Sequence, residues 1–352
     1  MDRIAIVYHG GVAEYDFGPG HPFRGDRFPR FMRLLESHGL LSRPEIRLVE
    51  PEAAGDADLR LVHSDDYISL VERLAARHAP LSGDTPLTPA VARAARLIVG
   101  TALKAGELLS KGFRVAEGVG GGLHHAGPDY GGGFCVFNDV AVCARALLER
   151  RGLERVLILD SDAHAGNGTM DIFYEDPRVL FISVHQDPRT IYPGTGFINQ
   201  IGSGPGTGYT VNVPLPPGAD DECMGLVLER VFKPLARAFR PQAIIRNGGS
   251  DPHFRDGLAS LGLTFMGLRS IGEAVAEAAS AADCGVVDLF CSGYNPETVA
   301  EGWLSLLSGL IGVEVDLVER PPPRRGGPRL LRATEKVIDT LAERLSGYWD
   351  LG

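Results

Sequence analysis

The amino-acid sequence predicts an α/β protein, an open and mainly parallel sheet flanked by helices on both faces. Short apolar runs bounded by Gly, Pro or Asp recur along the chain with helical patterns between them, as expected of a parallel sheet covered on both sides. The polar clusters fall where those runs end, and sheets of this kind bind ligands at the carboxyl ends of their strands. No shift in composition divides the 352 residues, of which 44% are hydrophobic. That is enough to bury a large core, and one domain over 1–352 is expected.

The elements follow in order from these patterns. Ile4 to Tyr8 (IAIVY) is the first candidate strand, and helical patterns lie near 26–38, 65–77 and 89–111. A glycine-rich stretch around His124 separates these from a helix near 138–151 and the strand Val156 to Asp160 (VLILD). Val179 to Val184 and Tyr209 to Val213 are the next two strands. A long helical segment near 221–239 precedes the strand Ala243 to Arg246, and another near 270–282 precedes Val286 to Cys291. Helices near 296–311 and 330–346 close the chain, with a Pro, Arg and Gly connector at 321–329 between them.

Composition excludes several function classes. The formal net charge of -10 and the lack of a long basic run argue against direct nucleic-acid binding. An acidic surface suits cationic substrates, and it also serves solubility. Gly 45 and Pro 24 are scattered and form no low-complexity tract. The five cysteines, Cys135, Cys143, Cys223, Cys284 and Cys291, form no CxxC pair, and their odd number fits a reducing compartment better than a disulfide framework. The N-terminal apolar run is too short for a signal peptide and nothing later approaches a membrane span, so a soluble cytoplasmic protein is expected. No feature fixes an oligomeric state.

The chemistry concentrates at four strand ends. Asp160-Ser161-Asp162-Ala163-His164 sets two carboxylates and an imidazole at alternate positions, which reads either as a divalent metal site or as a helix cap beside a core histidine. In an extended segment Asp162 and His164 face the same side. Asp251, after the apolar Ala243 to Ile245, is the best third ligand. His124-His125 follows three glycines. Alone, such a pair is a loop satisfied by backbone groups; beside a metal it can take a proton from water and return one to a leaving amine. Tyr294, in the turn Cys291-Ser-Gly-Tyr-Asn-Pro, either packs that turn or donates to an oxyanion, and spacing alone does not choose.

Taken together, GGGLHHAGPDYGGGFCVFNDVAV, VLILDSDAHAGNGTMDIFYEDPRVLFISVHQDPRTIYPGTG, GGSDPHFRDGLASLGLT and SGYNPETVAEGW resemble the zinc-dependent histone deacetylase superfamily. The match runs in order from YDFGPGHPFRGDRF to about residue 312. GGLHHA and FGPGHPF look closest to the bacterial acetoin-utilisation branch, and GNGT is similar to class II deacetylases. The resemblance implies an arginase-deacetylase fold with a mainly parallel sheet of eight strands, and hydrolysis of an acyl amide such as acetyl-lysine or a similar long acylated amine. It places the zinc ligands on Asp162, His164 and Asp251, a set that also admits Fe2+. The proton-transfer pair falls on His124 and His125 and the oxyanion-stabilising tyrosine on Tyr294. Gly133, Phe134, Tyr192 and Leu258 fall on the acyl-lysine channel. Asp160 becomes a supporting partner of His124. It also joins Ser183 and Val184 at a structural potassium site, with a second such site near Phe173, Val179 and Tyr209.

Departures from the family pattern bear on the chemistry. Asn167 stands where many members carry an aspartate paired with the second histidine, so a neutral amide orients His125. Ala165 replaces a histidine, Ser292 a glycine, and Tyr192 a frequent phenylalanine. An acetylpolyamine amidohydrolase is the first alternative, although no entrance-narrowing insertion is identified. Asp162-Ala163-His164-Ala165 also resembles the motif of binuclear ureohydrolases, but Gly166 occupies the place of the next bridging aspartate. A catalytically silent acyl-amine binder is the remaining alternative, and retention of all these groups argues against it.

Overall fold

The structure is a computed structural model that describes residues 3–320 and 327–351. In chain order the elements are β1 (Arg3–Val7), α1 (Arg27–Ser37), β2 (Ile46–Val49), α2 (Asp56–Leu59), α3 (Asp65–Ala76), α4 (Pro89–Leu109), β3 (Phe113–Val119), α5 (Asp139–Arg151), β4 (Val156–Asp160), α6 (Asn167–Phe173), β5 (Val179–Gln186), β6 (Thr210–Leu215), α7 (Asp221–Val227), α8 (Lys233–Phe239), β7 (Ala243–Asn247), α9 (Phe265–Ala282), β8 (Gly285–Phe290), α10 (Val299–Ile311) and α11 (Gly327–Leu345). The eight strands form one sheet in the order β2-β1-β3-β8-β7-β4-β5-β6. The pairs β1 with β2 and β3, β4 with β5 and β7, and β5 with β6 are all parallel.

Helix ends follow local chemistry. Ser64, Thr88, Asn138, Asp220 and Thr264 each accept an amide N–H of the first turn at the starts of α3, α4, α5, α7 and α9, and Pro89 opens α4, where its missing N–H costs nothing. Gly152 and Gly312 end α5 and α10 in the left-handed conformation.

Two strands and two short helices, α2 and α6, exceed the sequence reading, which found six strands. β2 is only four residues long, lies at a sheet edge and buries Ile46 alone among them, so no apolar run announces it. In β3 the apolar pattern is broken by Arg114, Glu117 and Gly118, yet Glu117 is fully buried. Helices α2 and α6, four and seven residues long, are too short to show a helical period and fall outside the expected helices. The segment expected as one helix over 221–239 passes through a π-helical stretch at Leu228–Phe232. α9 begins at Phe265 rather than 270 because Thr264 caps it, and α10 begins at Val299 rather than 296 because the Asn295 carbonyl first accepts the N–H groups of Thr298 and Val299. Of the expected connector at 321–329, residues 321–326 lie outside the described residues and Gly327 already starts α11.

The chain packs as two compact units. The first, residues up to 153 with 167–172 and 287–291, centres on α4 lying against β1, β3 and α5, with Ile98, Val99, Ala102, Val140 and Val142 fully buried. The second, 154–166, 173–286 and the chain from 292, is built on β4, β5, β6 and β7, whose residues Leu157, Ile158, Phe181 and Ile244 have essentially no exposure. There α9 packs on α10, and α11 covers α7 and β6 through Ile338, Leu341 and Leu345. All five cysteines are free and buried, and among the described residues no helix is long and apolar enough to cross a membrane.

One core residue of the second unit reaches directly to a predicted functional turn. Trp303 of α10 is fully buried, and its indole N–H donates to the Ser292 carbonyl at 2.7 Å, two residues before Tyr294. Trp303→Ala is expected to cost about 3–5 kcal/mol by leaving a cavity, read as a lower urea midpoint with unchanged slope.

Candidate functional site

The second unit assembles three predicted metal ligands. β4 is buried along its whole length, and its last residue, Asp160, accepts the Asp162 N–H at 3.2 Å. Ser161 then anchors the exit, its N–H and hydroxyl both donating to the Asn247 carbonyl at 2.8 and 3.1 Å. Asp162 Oδ1 accepts the His164 N–H at 2.9 Å and lies 3.1 Å from His164 Nδ1, while Asp251 Oδ2 lies 2.9 Å from the same nitrogen. One ligand atom from each of Asp162, His164 and Asp251 falls within 4.8 Å of the others, and all three residues are buried.

Close approach of the backbone after β7 makes this possible. Gly248 adopts φ +111°, and a Cβ there would sit 2.4 Å from the Asp162 amide nitrogen. Any side chain would push the two loops apart. On the far side of the cluster the Ser292 hydroxyl donates to Asp251 Oδ1 at 2.9 Å. Tyr294 is also brought here, its ring centroid 6.3 Å from that of His164 at 87°.

The electrostatics call for a cation. Burial disfavours a charged ring at His164, but the hydrogen bonds and charges of Asp162 and Asp251 outweigh it and hold its pKa at about 10. Burial, and then the neighbouring Asp162, push the Asp251 carboxyl well above the usual range. Two carboxylate oxygens and one imidazole nitrogen, buried together, fit a divalent ion of hard to borderline character. Among the described residues this is the one cluster of three such donors.

The first unit holds the two histidines. After β3 the chain runs through glycines into a loop fixed by Asp139, whose oxygens each accept one N–H, from Gly122 and Leu123, at 2.8 Å. The Asn138 amide donates to the carbonyls of Ala126 and His124 at 2.9 and 3.3 Å and to Thr169 Oγ1 at 3.0 Å, while its oxygen caps α5. His124 Nε2 and His125 Nε2 are 3.1 Å apart. His125 Nδ1 lies 2.7 Å from Asn167 Oδ1, whose amide nitrogen in turn donates to the Tyr130 hydroxyl at 3.3 Å, and that hydroxyl donates to Asp171 at 2.5 Å. The amide can only accept at Oδ1, so it fixes the proton of neutral His125 on Nδ1 and leaves Nε2 its lone pair.

The remaining predicted residues are placed as follows. Gly133 donates its N–H to Asp84 at 3.2 Å. Phe134, in the left-handed region at φ +69°, donates its N–H to Thr85 Oγ1 at 3.0 Å and packs against His21. Tyr192, expected on a channel wall, and Leu258, expected at its mouth, are exposed by 46% and 42%. Ser183 is paired in register with Asp160, and its hydroxyl is 2.8 Å from His185 Nδ1. Val184 is buried beside it in β5. Phe173, Val179 and Tyr209 group near the start of β5: the Asp176 N–H donates to the Phe173 carbonyl, the Val179 N–H to the Asp176 carbonyl, and the Phe181 N–H to the Tyr209 carbonyl.

Sequence reasoning overlooked Asn138 and Asp139, although Phe-Asn-Asp before an apolar helix is a capping signal. It also overlooked Asp256, which accepts the Tyr294 N–H at 2.7 Å and which no sequence pattern links to that tyrosine.

The fold and site together are those of an open α/β protein whose strand ends carry a buried Asp-His-Asp set able to hold a metal ion. A histone deacetylase domain model matches residues 21–310, and the chain belongs to the histone deacetylase family. It is 36% identical over 323 residues to a probable deacetylase of Archaeoglobus fulgidus, covering 90% of this chain and 88% of that one. It is 34% identical over 330 residues to the acetoin utilization protein AcuC of Staphylococcus aureus, covering 88% and 82%. The crystal structure of the HDA15 HD domain has the same fold, with TM-score 0.87 at 24% identity over 99% of this chain and 96% of that one.

Two outcomes follow from the site. Zn2+ titrated into metal-free protein is expected to release protons as it displaces them from the cluster, read as a buffer-dependent heat in calorimetry, and Asp251→Asn to weaken binding by more than about 100-fold. Burial, opposed by the Leu123 and Gly122 amides, raises the Asp139 pKa to about 7. The folded state therefore holds a proton that the unfolded state has lost between about pH 4 and 7, and this group's contribution to stability falls as pH rises through that window, by at most about 4 kcal/mol. Urea unfolding at pH 5 and pH 8 should show a smaller pH difference in Asp139→Asn than in the unsubstituted protein.

Proposed function

We propose that this protein hydrolyses the amide of an acylated long amine, with an acetylated lysine side chain as the leading substrate class. Family membership carries acyl-amide hydrolysis in general, and the buried Asp162, His164 and Asp251 cluster is the observation that supports a metal-dependent route. Zn2+ bound by these three side chains would polarise the amide carbonyl and make water easier to deprotonate.

The chain's own groups then divide the proton work. His125, with its proton held on Nδ1 by Asn167, presents Nε2 as the base that takes a proton from the attacking water. The water oxygen bonds to the acyl carbon, and the charge that develops on the former carbonyl oxygen is met by the Tyr294 hydroxyl. As the C–N bond breaks, the imidazolium returns its proton to the departing amine, with His124 beside it sharing the charge. The products are a carboxylic acid and a free amine. Asn167 gives His125 less basicity than a carboxylate would, although Asp171 stands behind it through Tyr130.

Asp160 and Ser183, paired in register, support the implied potassium site, whose positive charge would steady the loop that carries Asp162 and His164. A cytoplasmic location belongs to the same proposal and suits five free buried thiols.

Hydrolysis of an acetyl-lysine peptide is expected to stop on chelation and return with Zn2+. Tyr294→Phe is expected to lower kcat by about 10²–10³-fold with intact metal binding; full activity in that variant would remove the phenol from the reaction.

A further inference from the structure

The carboxyl group of Asp256 joins two loops that the reaction needs in register. Its Oδ2 accepts the Tyr294 N–H at 2.7 Å, and its Oδ1 accepts the N–H groups of Leu258 and Ala259 at 2.8 and 3.1 Å. One side chain thus holds the backbone of the tyrosine turn and that of the predicted rim residue. The neighbouring contacts reinforce the same seam. The Asn295 amide donates to the Arg255 carbonyl at 2.7 Å, and Arg255 pairs with Glu297. Behind Tyr294, Gly293 adopts φ +121°, and a Cβ there would lie 2.2 Å from Ser250 Oγ, so the turn is pressed against the loop that carries Asp251.

A three-amide carboxylate is a demanding arrangement, because each oxygen must accept and neither can donate. An asparagine keeps the size but turns one oxygen into an N–H2 group, which meets an amide N–H head-on. Whichever way the amide turns, it abandons either the tyrosine turn or the rim loop. The hydrogen bonds of Asp256 all go to backbone amides, one of them that of Tyr294, which gives it a direct mechanical link to the turn that carries the phenol.

We propose that Asp256 is a positioning residue for deacylation, setting the placement of the Tyr294 hydroxyl by locking the turn at 292–295 to the rim loop at 256–259. This rests on the role given to Tyr294 above. The test is a double-mutant cycle of Asp256→Asn with Tyr294→Phe, following kcat and KM on an acetyl-lysine peptide together with zinc content and thermal unfolding. Asp256→Asn alone should lower kcat by about 10–100-fold, change KM by less than about threefold, and leave zinc stoichiometry intact. In the Tyr294→Phe background the same substitution should change kcat by less than about threefold, because the group it positions is gone. Asp256→Glu, which keeps the charge, should recover part of the single-variant loss.

Equal losses in both backgrounds, lost zinc or an unchanged kcat would each overturn the proposal. So would failure of both Asp256 variants to fold, which would make the residue purely structural. If Tyr294→Phe alone is fully active, the failure lies with the tyrosine's role in catalysis, and that arm of the cycle identifies it separately.

Discussion

Concentrated negative charge in a buried cluster governs the second unit. Asp162 and Asp251 are both buried and both within hydrogen-bond reach of a single imidazole nitrogen. Two carboxylates this close repel each other strongly unless a positive charge sits among them. The same field from the two carboxylates raises the pKa of His164 against the effect of its burial. Everything that brings the cluster together, from the buried β4 strand to the glycine after β7, works against that repulsion and is stabilised by whatever cation the cluster accepts.

In both units the loops that leave the strands are held by backbone anchoring. The loops after β4 and β7 are tied together by Ser161 donating to the Asn247 carbonyl, the tyrosine turn is tied to α10 by Trp303 donating to the Ser292 carbonyl, and the histidine loop is tied by Asn138 and Asp139. Each anchor uses a buried polar side chain satisfied by main-chain groups, which costs little once formed and specifies a single arrangement. Loops that would otherwise sample many conformations are thereby given the rigidity of the strands they leave.

What could be read from the amino acids alone was whatever repeats over short distances. Asp162 and His164 announce themselves by alternate spacing after a four-residue apolar run, and Asp251 by its place after another. The strands with continuous apolar runs were legible for the same reason. β3 was not, because Arg114 and Glu117 interrupt its apolar run even though Glu117 is buried. Asn167 was expected to orient His125 and is placed 2.7 Å from it, whereas the continuation through Tyr130 to Asp171 joins residues separated by 37 and 41 positions with no motif between them. The link between Asp256 and Tyr294 was invisible on the same ground, since tertiary contacts between loops leave no periodic trace.

Ser292, in the turn after β8, spends its hydroxyl proton on Oδ1 of Asp251. The other oxygen, Oδ2, is the one facing His164. With one lone pair of Oδ1 already committed, the Asp251 carboxylate turns its freer oxygen, Oδ2, towards the cluster, so a residue outside the Asp-His-Asp set decides which of its oxygens is the better donor there.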